Sequence, residues 1–189
     1  MTTKTLDLTA LKRRDAQAFQ QLVERHSQQI YNLALKMLGD PAQAEDILQE
    51  TFINAYRAID RFEGRAQVST WLYRIAYNAV LMRLRKQKRV PDVRSLDGEL
   101  DPETLPGERG CNIAPERCVL RAELLQKMDE ALSSLSEKLQ VVFLLRDVQG
   151  LSTAQTAEVL DLSETAVKSR LHRARLALRV QLAPYLQGA

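Results

Sequence analysis

The residues between Gly150 and Arg179 constrain the fold of this chain more than any other segment. They predict two helices separated by the three residues Asp161-Leu162-Ser163, because the residues on either side repeat at helical spacing. In the first helix, Ala157, Val159 and Leu160 supply the apolar face. Asp161 suits a position with a left-handed backbone, which Asp tolerates better than most residues. The segment therefore predicts a helix-turn-helix unit.

Hydroxyl side chains stand where both of these helices begin. Ser152 or Thr153 precedes the first helix and Ser163 or Thr165 the second, and a hydroxyl there accepts from the free amides of the first turn. Caps at both starts make the helix boundaries a local property of the sequence.

The second helix of the unit is strongly cationic and has one apolar face. In such a unit the second helix enters the major groove of DNA, where Arg and Lys donate to guanine edges and hold phosphates. Lys168, Ser169, His172 and Arg173 fall toward the outward face. The pattern favours duplex DNA as a partner over the alternative, a solvated amphipathic surface helix. The cations of this helix are Lys168, Arg170, Arg173, Arg175 and Arg179.

The composition favours an all-α fold. Leu, Ala, Gln, Arg and Glu dominate, and the chain holds only seven Gly and six Pro, which predicts long helices. Residues 141–145 are the best strand candidate, but they lie inside a longer helical pattern.

Neither a signal-peptide core nor a membrane-spanning run is recognisable, so a cytoplasmic protein is expected. Cys111 and Cys118 do not form a secreted disulfide framework, and neither a zinc site nor any other cofactor is predicted.

An acidic segment divides the chain in two. Residues 91–115 hold four of the six Pro and three of the seven Gly, with six carboxylates against two arginines. This composition predicts a flexible linker between two helical domains, 1–90 and 116–189. A long functional loop is the alternative.

Periodicity and caps predict the helices of both domains. Asp40 followed by Pro41 is a strong start signal, and Ser69 or Thr70 is expected to cap the helix that follows. The predicted helices cover residues 16–38, 41–59 and 71–88 in the first domain, and 119–132 and 137–147, the latter capped by Ser136, in the second.

Two further charged patches lie in the first domain. Residues 83–89 hold five cations in seven residues, which suits phosphate contact. The residue series Glu45, Asp46, Gln49 and Glu50 places polar and acidic side chains on one helix face. Taken alone, this second patch is read as a solvated face.

These features, in this order, resemble the extracytoplasmic-function (ECF) sigma factors of bacterial RNA polymerase. Three motifs carry the resemblance: DPAQAEDILQETFINAYRAIDRFEGR, STWLYRIAYNAVLMRLRKQKR and LQVVFLLRDVQGLSTAQTAEVLDLSETAVKSRLHRAR. The resemblance spans about residues 14–90 and 116–182. Met82 departs from it, since many members carry Asn or Asp there, and Gln155-Thr156 replaces a frequent acidic-plus-aliphatic pair.

The resemblance implies three interfaces and no covalent chemistry. The first domain binds core polymerase and opens the −10 element as single strands, and the second reads the −35 element as duplex. The linker threads toward the RNA exit path, and an anti-sigma factor, often membrane-linked, controls the protein. The implied residues are Lys168, Ser169, Arg170, His172, Arg173 and Arg175 for −35; Phe62, Gly64, Arg65, Ser69, Trp71, Tyr77, Asn78, Arg83, Arg85 and Lys86 for −10; and Glu45, Asp46, Gln49, Glu50 and Phe52 for polymerase.

Two other readings explain less of the sequence. A DNA-binding activator that never joins polymerase leaves the acidic face and the block from Trp71 to Arg89 without a role. A helical adaptor that binds only protein leaves both cationic helices unexplained.

Overall fold

The computed structural model describes residues 7–64, 66–89 and 115–186, and every regular element in these ranges is helical. The all-α prediction is therefore confirmed. The predicted linker lies outside the described residues, except Pro115. None of the described helices is both long and apolar enough to span a membrane. The elements are α1 (Leu8–Lys12), α2 (Ala16–Leu38), α3 (Pro41–Ala58), a 3-10 turn (Ile59–Arg61), α4 (Val68–Arg89), α5 (Pro115–Ser133), α6 (Glu137–Phe143), a π-helical segment (Leu144–Val148), α7 (Thr153–Leu160) and α8 (Glu164–Leu186).

The junction between α2 and α3 follows the local signals in the sequence. Gly39 ends α2 with a left-handed backbone, φ 71°, which glycine adopts without steric cost. The Asp40 carboxylate accepts from the amides of Ala42 at 2.9 Å and Gln43 at 3.2 Å, and Pro41 opens α3. Both predicted boundaries are confirmed.

The start of α4 differs from the prediction. The helix begins at Val68, and the amide of Trp71 already donates to the carbonyl of Gln67 at 3.1 Å. Ser69 and Thr70 thus lie within the first turn, too late to cap it. The Thr70 hydroxyl is buried without a hydrogen-bond partner among the described residues.

The second half also contains irregularities that periodicity does not predict. Helix α5 begins at Pro115, earlier than expected, at a position where proline is well tolerated. Ser136 occupies the N-cap position of α6, but its side chain makes no capping hydrogen bond. The expected regular helix to residue 147 widens at Leu144 into the π-helical segment, and such turns are frequent at functional sites.

One core of the first half lies among α1, α2, α3 and α4. It includes the fully buried side chains of Leu11, Leu22, Ile59 and Leu72. Helix α1 is absent from the prediction because five residues are too few for periodicity. Its Leu11 is nonetheless completely buried, so packing and not propensity holds α1 in place.

A second core runs across both halves of the chain. Met37 and Val80 of the first half belong to the same apolar cluster as Val141 and Leu145 of the second. Helix α4 packs on α7, and α2 packs on α5 and α6. The two halves therefore lie directly against each other.

Candidate nucleic-acid interface

The helix-turn-helix is built by local hydrogen bonds. The Gln155 amide donates to the Ser152 hydroxyl at 3.1 Å, and the Ser152 amide donates to the Gln155 side-chain oxygen at 2.7 Å, forming a capping box. Asp161 adopts the predicted left-handed conformation at φ 53°. At the start of α8, the Ser163 hydroxyl accepts from the Ala166 amide at 3.2 Å. These contacts confirm Ser152 and Ser163 as the caps.

The outward face of α8 presents polar side chains to solvent. Lys168, Ser169, His172 and Arg173 are all exposed, and we call these four residues the reading face. The Arg173 guanidinium donates to the Ser169 hydroxyl at 3.3 Å, one turn earlier on the same face. The opposite side of α8 is buried through Val167, Leu171, Ala174 and Leu178, so packing fixes which side is presented.

Arg175 is held by a carboxylate. Its Nε and one terminal nitrogen donate to the two oxygens of Asp147 at 2.8 and 2.6 Å. This hydrogen bonding raises the pKa of Arg175. Arg170 is half-buried. Of the six predicted −35 residues, five are therefore exposed and Arg170 is half-buried, and the exposed Arg175 is also paired with Asp147.

The loop before α4 is anchored by aromatic packing. The ring of Phe62 is only 6% exposed and lies 4.9 Å from the ring of Trp71, tilted by 33°. Phe62 thus supports the loop from below and does not offer its ring to solvent. Ser69 and Trp71 are half-buried, and Arg65 lies outside the described residues.

Gly64 is required at its position in this loop. Its φ is +77°, and a Cβ built there would come within 3.2 Å of the Leu8 side chain of α1. The loop therefore runs close against α1, with a backbone that other residues rarely adopt.

Helix α4 presents the other predicted −10 residues in different ways. Asn78, Arg85 and Lys86 are exposed, and Tyr77 is half-buried. Arg83 reaches to Asp46 of α3, with 3.2 Å between nitrogen and oxygen. Burial raises the pKa of Tyr77, and the charge of Arg170 opposes that shift. Tyr77 therefore lies near a cation of α8.

The acidic face of α3 is exposed as predicted, but Phe52 does not belong to it. Glu45, Asp46, Gln49 and Glu50 face solvent, whereas Phe52 is 8% exposed. Its ring packs edge-on against Phe19, 6.5 Å between centroids. Most of the Phe52 side chain is therefore part of the core, and its direct contact with polymerase stays a prediction.

Two exposed apolar residues extend this face and were missed from the sequence. Ile53 is 50% exposed and Tyr56 is 40% exposed. Asp46, Gln49, Ile53 and Tyr56 follow one another at intervals of three, four and three residues, so they lie along one stripe of α3. That spacing was visible in the sequence, but exposure was not. We call this stripe, together with Glu45 and Glu50, the docking face.

His26 and the cysteines stand apart from these faces. His26 is buried on α2, as its place in the apolar stripe predicts, and burial lowers its pKa. The side chains of Cys111 and Cys118 lie outside the described residues.

Comparison with known proteins decides the family. Residues 22–90 match the model for sigma-70 region 2, and residues 125–178 match the model for sigma-70 region 4. The chain is 38% identical to the ECF RNA polymerase sigma factor SigW of Bacillus subtilis, over 91% of this chain and 92% of SigW. The chain belongs to the ECF sigma factors.

Further relatives agree over nearly the whole length. The RNA polymerase sigma-H factor of Pseudomonas aeruginosa is 35% identical over 95% of this sigma factor and 93% of its own chain. The structure of CnrH in complex with the cytosolic domain of CnrY superposes with a TM-score of 0.68 at 25% identity, covering 94% of this chain and 95% of that chain. As a sigma factor, the protein binds core RNA polymerase and directs it to promoters.

Proposed function

We propose that this sigma factor binds promoter DNA through two separate surfaces and core polymerase through a third. The observation that carries the proposal is the arrangement of charge. A free cationic face lies on α8, a second cationic stretch lies at the end of α4, and an acidic and apolar stripe lies on α3. Domain limits of 1–90 and 116–189, with a linker at 91–115, are part of the proposal.

The reading face of α8 recognises the −35 element as duplex. Lys168 and Arg173 supply donors for base edges or phosphates, while Ser169 and His172 add shorter polar contacts. Arg170 and Arg175 add positive charge near the DNA but make few direct contacts with it. Arg170 is half-buried, and Arg175 is hydrogen-bonded to Asp147. Four exposed side chains make a small contact area, which suits a domain that binds DNA only as part of polymerase.

The loop from Phe62 to Ser69 and helix α4 open the −10 element. We assign capture of a flipped base to Gly64 and Arg65 of this loop. Phe62, at the start of the loop, packs against Trp71. Asn78 and Tyr77 contact the bases, while Arg85 and Lys86 hold the backbone. No covalent step is needed, because stacking of a flipped base contributes about 1–3 kcal/mol and offsets lost pairing. Arg83 supports this helix through Asp46.

The docking face of α3 binds the coiled coil of the largest polymerase subunit. Its stripe repeats at the three-and-four spacing with which helices pack against coiled coils. Ile53 and Tyr56 supply apolar area, and Glu45, Asp46 and Glu50 supply charge that selects a basic partner. Phe52 supports the stripe from the core.

An anti-sigma factor controls the protein in the cytoplasm, and a membrane-linked inhibitor would hold it at the membrane. The similarity to CnrH, solved in complex with CnrY, supports this control. The similarity covers nearly the whole chain, so it includes both halves and not one domain alone.

Transcription from selected promoters tests the proposal. Binding sites are first selected from random DNA with the assembled holoenzyme, and the winning sites then serve as run-off templates. Promoter-dependent transcripts are expected. Duplex binding without transcripts would support an activator, and absence of both would support a protein-binding adaptor.

A matched pair of variants separates readout from folding. Arg173→Ala should weaken binding of −35 duplex while leaving core-polymerase affinity unchanged. Arg179→Ala removes an exposed arginine of the same helix outside the reading face, and it should leave promoter selection unchanged. Equal effects of the two variants would refute base readout by Arg173.

A further inference from the structure

One arginine of helix α8 is treated differently from the other cations of that helix. Five cations lie between Lys168 and Arg179. Among the described residues, Arg175 is the only one of these five that forms an ion pair with a carboxylate, that of Asp147. Arg173 of the reading face contacts the Ser169 hydroxyl instead. The pairing is therefore a property of one position and not of the whole helix.

The Asp147–Arg175 pair has a bidentate geometry. Nε and one terminal nitrogen of Arg175 donate to the two carboxylate oxygens of Asp147, at 2.8 and 2.6 Å. Two parallel charge-assisted hydrogen bonds fix the orientation of both partners as well as their distance. The Asp147 side chain is 22% exposed and the Arg175 side chain is 55% exposed. The carboxylate is thus mostly covered, and it holds the guanidinium at the protein surface.

Asp147 lies in a segment that is fixed by contacts of its own. It belongs to the π-helical segment, in which the Gln149 amide donates to the Leu144 carbonyl at 2.9 Å, five residues back. The guanidinium of the neighbouring Arg146 donates to the Leu151 carbonyl. These hydrogen bonds do not involve α8. The carboxylate is therefore in place before Arg175 meets any other partner.

Arg175 lies on a flank of α8, where a phosphate would be met. It follows Lys168 by seven residues, which places it about 20° away around the helix and two turns further along. Leu178, three residues later, is buried. A helix with its side chains is about 10–12 Å across, and the major groove of B-DNA is about 12 Å wide. Cations on the flank of a helix in the groove therefore come close to the phosphates of its walls.

The pair matters more for DNA binding than for stability. Ion pairs that are this exposed contribute little to folding. A phosphate contact, in contrast, releases counterions and strengthens binding to any duplex. Such a contact carries no sequence information, so it would hold polymerase at non-promoter DNA as firmly as at a promoter.

We propose that Asp147 withholds Arg175 from DNA phosphates and thereby keeps the sequence-independent binding of α8 weak. This inference rests on the proposed function, because it requires α8 to lie on duplex DNA. The carboxylate of Asp147 competes with a phosphate for the same two donors of Arg175. The reading face stays exposed, so its base contacts make up a larger share of the affinity.

The expected effect follows from counterion release. Each additional phosphate contact makes the logarithm of the binding constant fall more steeply with the logarithm of the salt concentration, by about 0.9. Asp147→Asn keeps the size of the side chain, removes its charge and frees Arg175. The slope should therefore steepen by about 0.9, which raises the affinity for duplex about eightfold at about 0.1 M salt relative to 1 M salt.

Salt titrations of the holoenzyme, assembled with the full chain, test the proposal. One duplex carries the selected −35 element and the other carries that element scrambled. Both end upstream of −10, so that no strand opening contributes to binding. Kd is measured for each over a series of KCl concentrations. Asp147→Asn, and Asp147→Ala as a second variant without any acceptor, should steepen the salt slope on both duplexes.

Two controls separate the release of Arg175 from a general change in charge. Glu158→Gln removes the same charge from an exposed position of α7 and should keep the wild-type slope. Adding Arg175→Ala to Asp147→Asn should abolish the steeper slope.

Three results would overturn the inference: an unchanged slope in Asp147→Asn, a steeper slope that persists without Arg175, or an equal change in Glu158→Gln. If the wild-type holoenzyme bound the two duplexes equally, the proposed readout by α8 would fail. The comparison of slopes would still decide the role of Asp147, because it does not depend on sequence preference.

Discussion

Ile53→Ala is expected to weaken the binding of core polymerase by an amount that follows from its exposure. The substitution removes three carbons, and burying them fully is worth about 2.4 kcal/mol at about 0.8 kcal/mol per carbon. Ile53 is 50% exposed in the free protein, so half of that burial remains to be gained on docking. The loss of binding free energy is therefore about 1.2 kcal/mol, or roughly eightfold in Kd.

The same reasoning predicts the cost to the fold. The half of Ile53 that is already buried contributes to folding, so Ile53→Ala should lower the unfolding free energy by about 1 kcal/mol. A loss of this size leaves a domain of ordinary stability folded. Core affinity is measured by competition against labelled wild-type protein, and stability by urea denaturation of the same preparations.

Leu176→Ala provides the matched control. Leu176 is 51% exposed on α8, so its truncation removes the same number of carbons at the same exposure, away from the docking face. It should cost about the same stability and leave core affinity unchanged. The reasoning would be refuted if both variants lowered core affinity equally, or if Ile53→Ala did not lower it.

Three further predictions concern single contacts. Gly64→Ala should lower the unfolding free energy by more than Gly39→Ala does. At both positions alanine must adopt a left-handed backbone, which costs about 1–2 kcal/mol, but only at Gly64 does the new Cβ meet a neighbouring side chain. Equal urea midpoints of the two variants would contradict this. Arg175→Ala should lower the unfolding free energy by less than about 1 kcal/mol. It should leave the affinity for −35 duplex nearly unchanged in a gel-shift titration, because the Arg175 guanidinium is already bound to Asp147. A loss of −35 affinity as large as that of Arg173→Ala would show that Arg175 also reads the DNA. Burial lowers the pKa of His26 in the folded state, so the unfolded state takes up a proton first as pH falls below about 6.5. The unfolding free energy should therefore decrease as pH falls below that value. His26→Gln should flatten the pH dependence of the urea midpoint between pH 7.5 and 5.5.

The parts of the fold that rest on neighbouring residues could be predicted from the sequence. The Asp40 cap, the left-handed Asp161 and the Ser152 capping box each join groups that are two to five residues apart. Their geometry depends on the local backbone, so residue type and spacing are sufficient. The three family motifs likewise indicated a sigma factor, because each is a continuous stretch of sequence.

The availability of each side chain was decided by the tertiary structure. Arg175 is of a residue type and at a position that suit a DNA contact. Its guanidinium is nonetheless hydrogen-bonded to the carboxylate of Asp147, 28 residues earlier. Phe52 lies in the motif of the docking helix, yet it packs into the core on Phe19.

The sequence by itself determined the longer helices, the caps at Asp40, Ser152 and Ser163, and the order of the charged patches, since these depend on contacts within a few residues. Only the tertiary structure decided which charges remain free, which apolar residues extend the docking face, and that the Tyr73 hydroxyl meets Gln149 at a separation of 76 residues. The physical reason is that burial and pairing depend on which surfaces meet, and that is a property of the packed chain and not of any one segment.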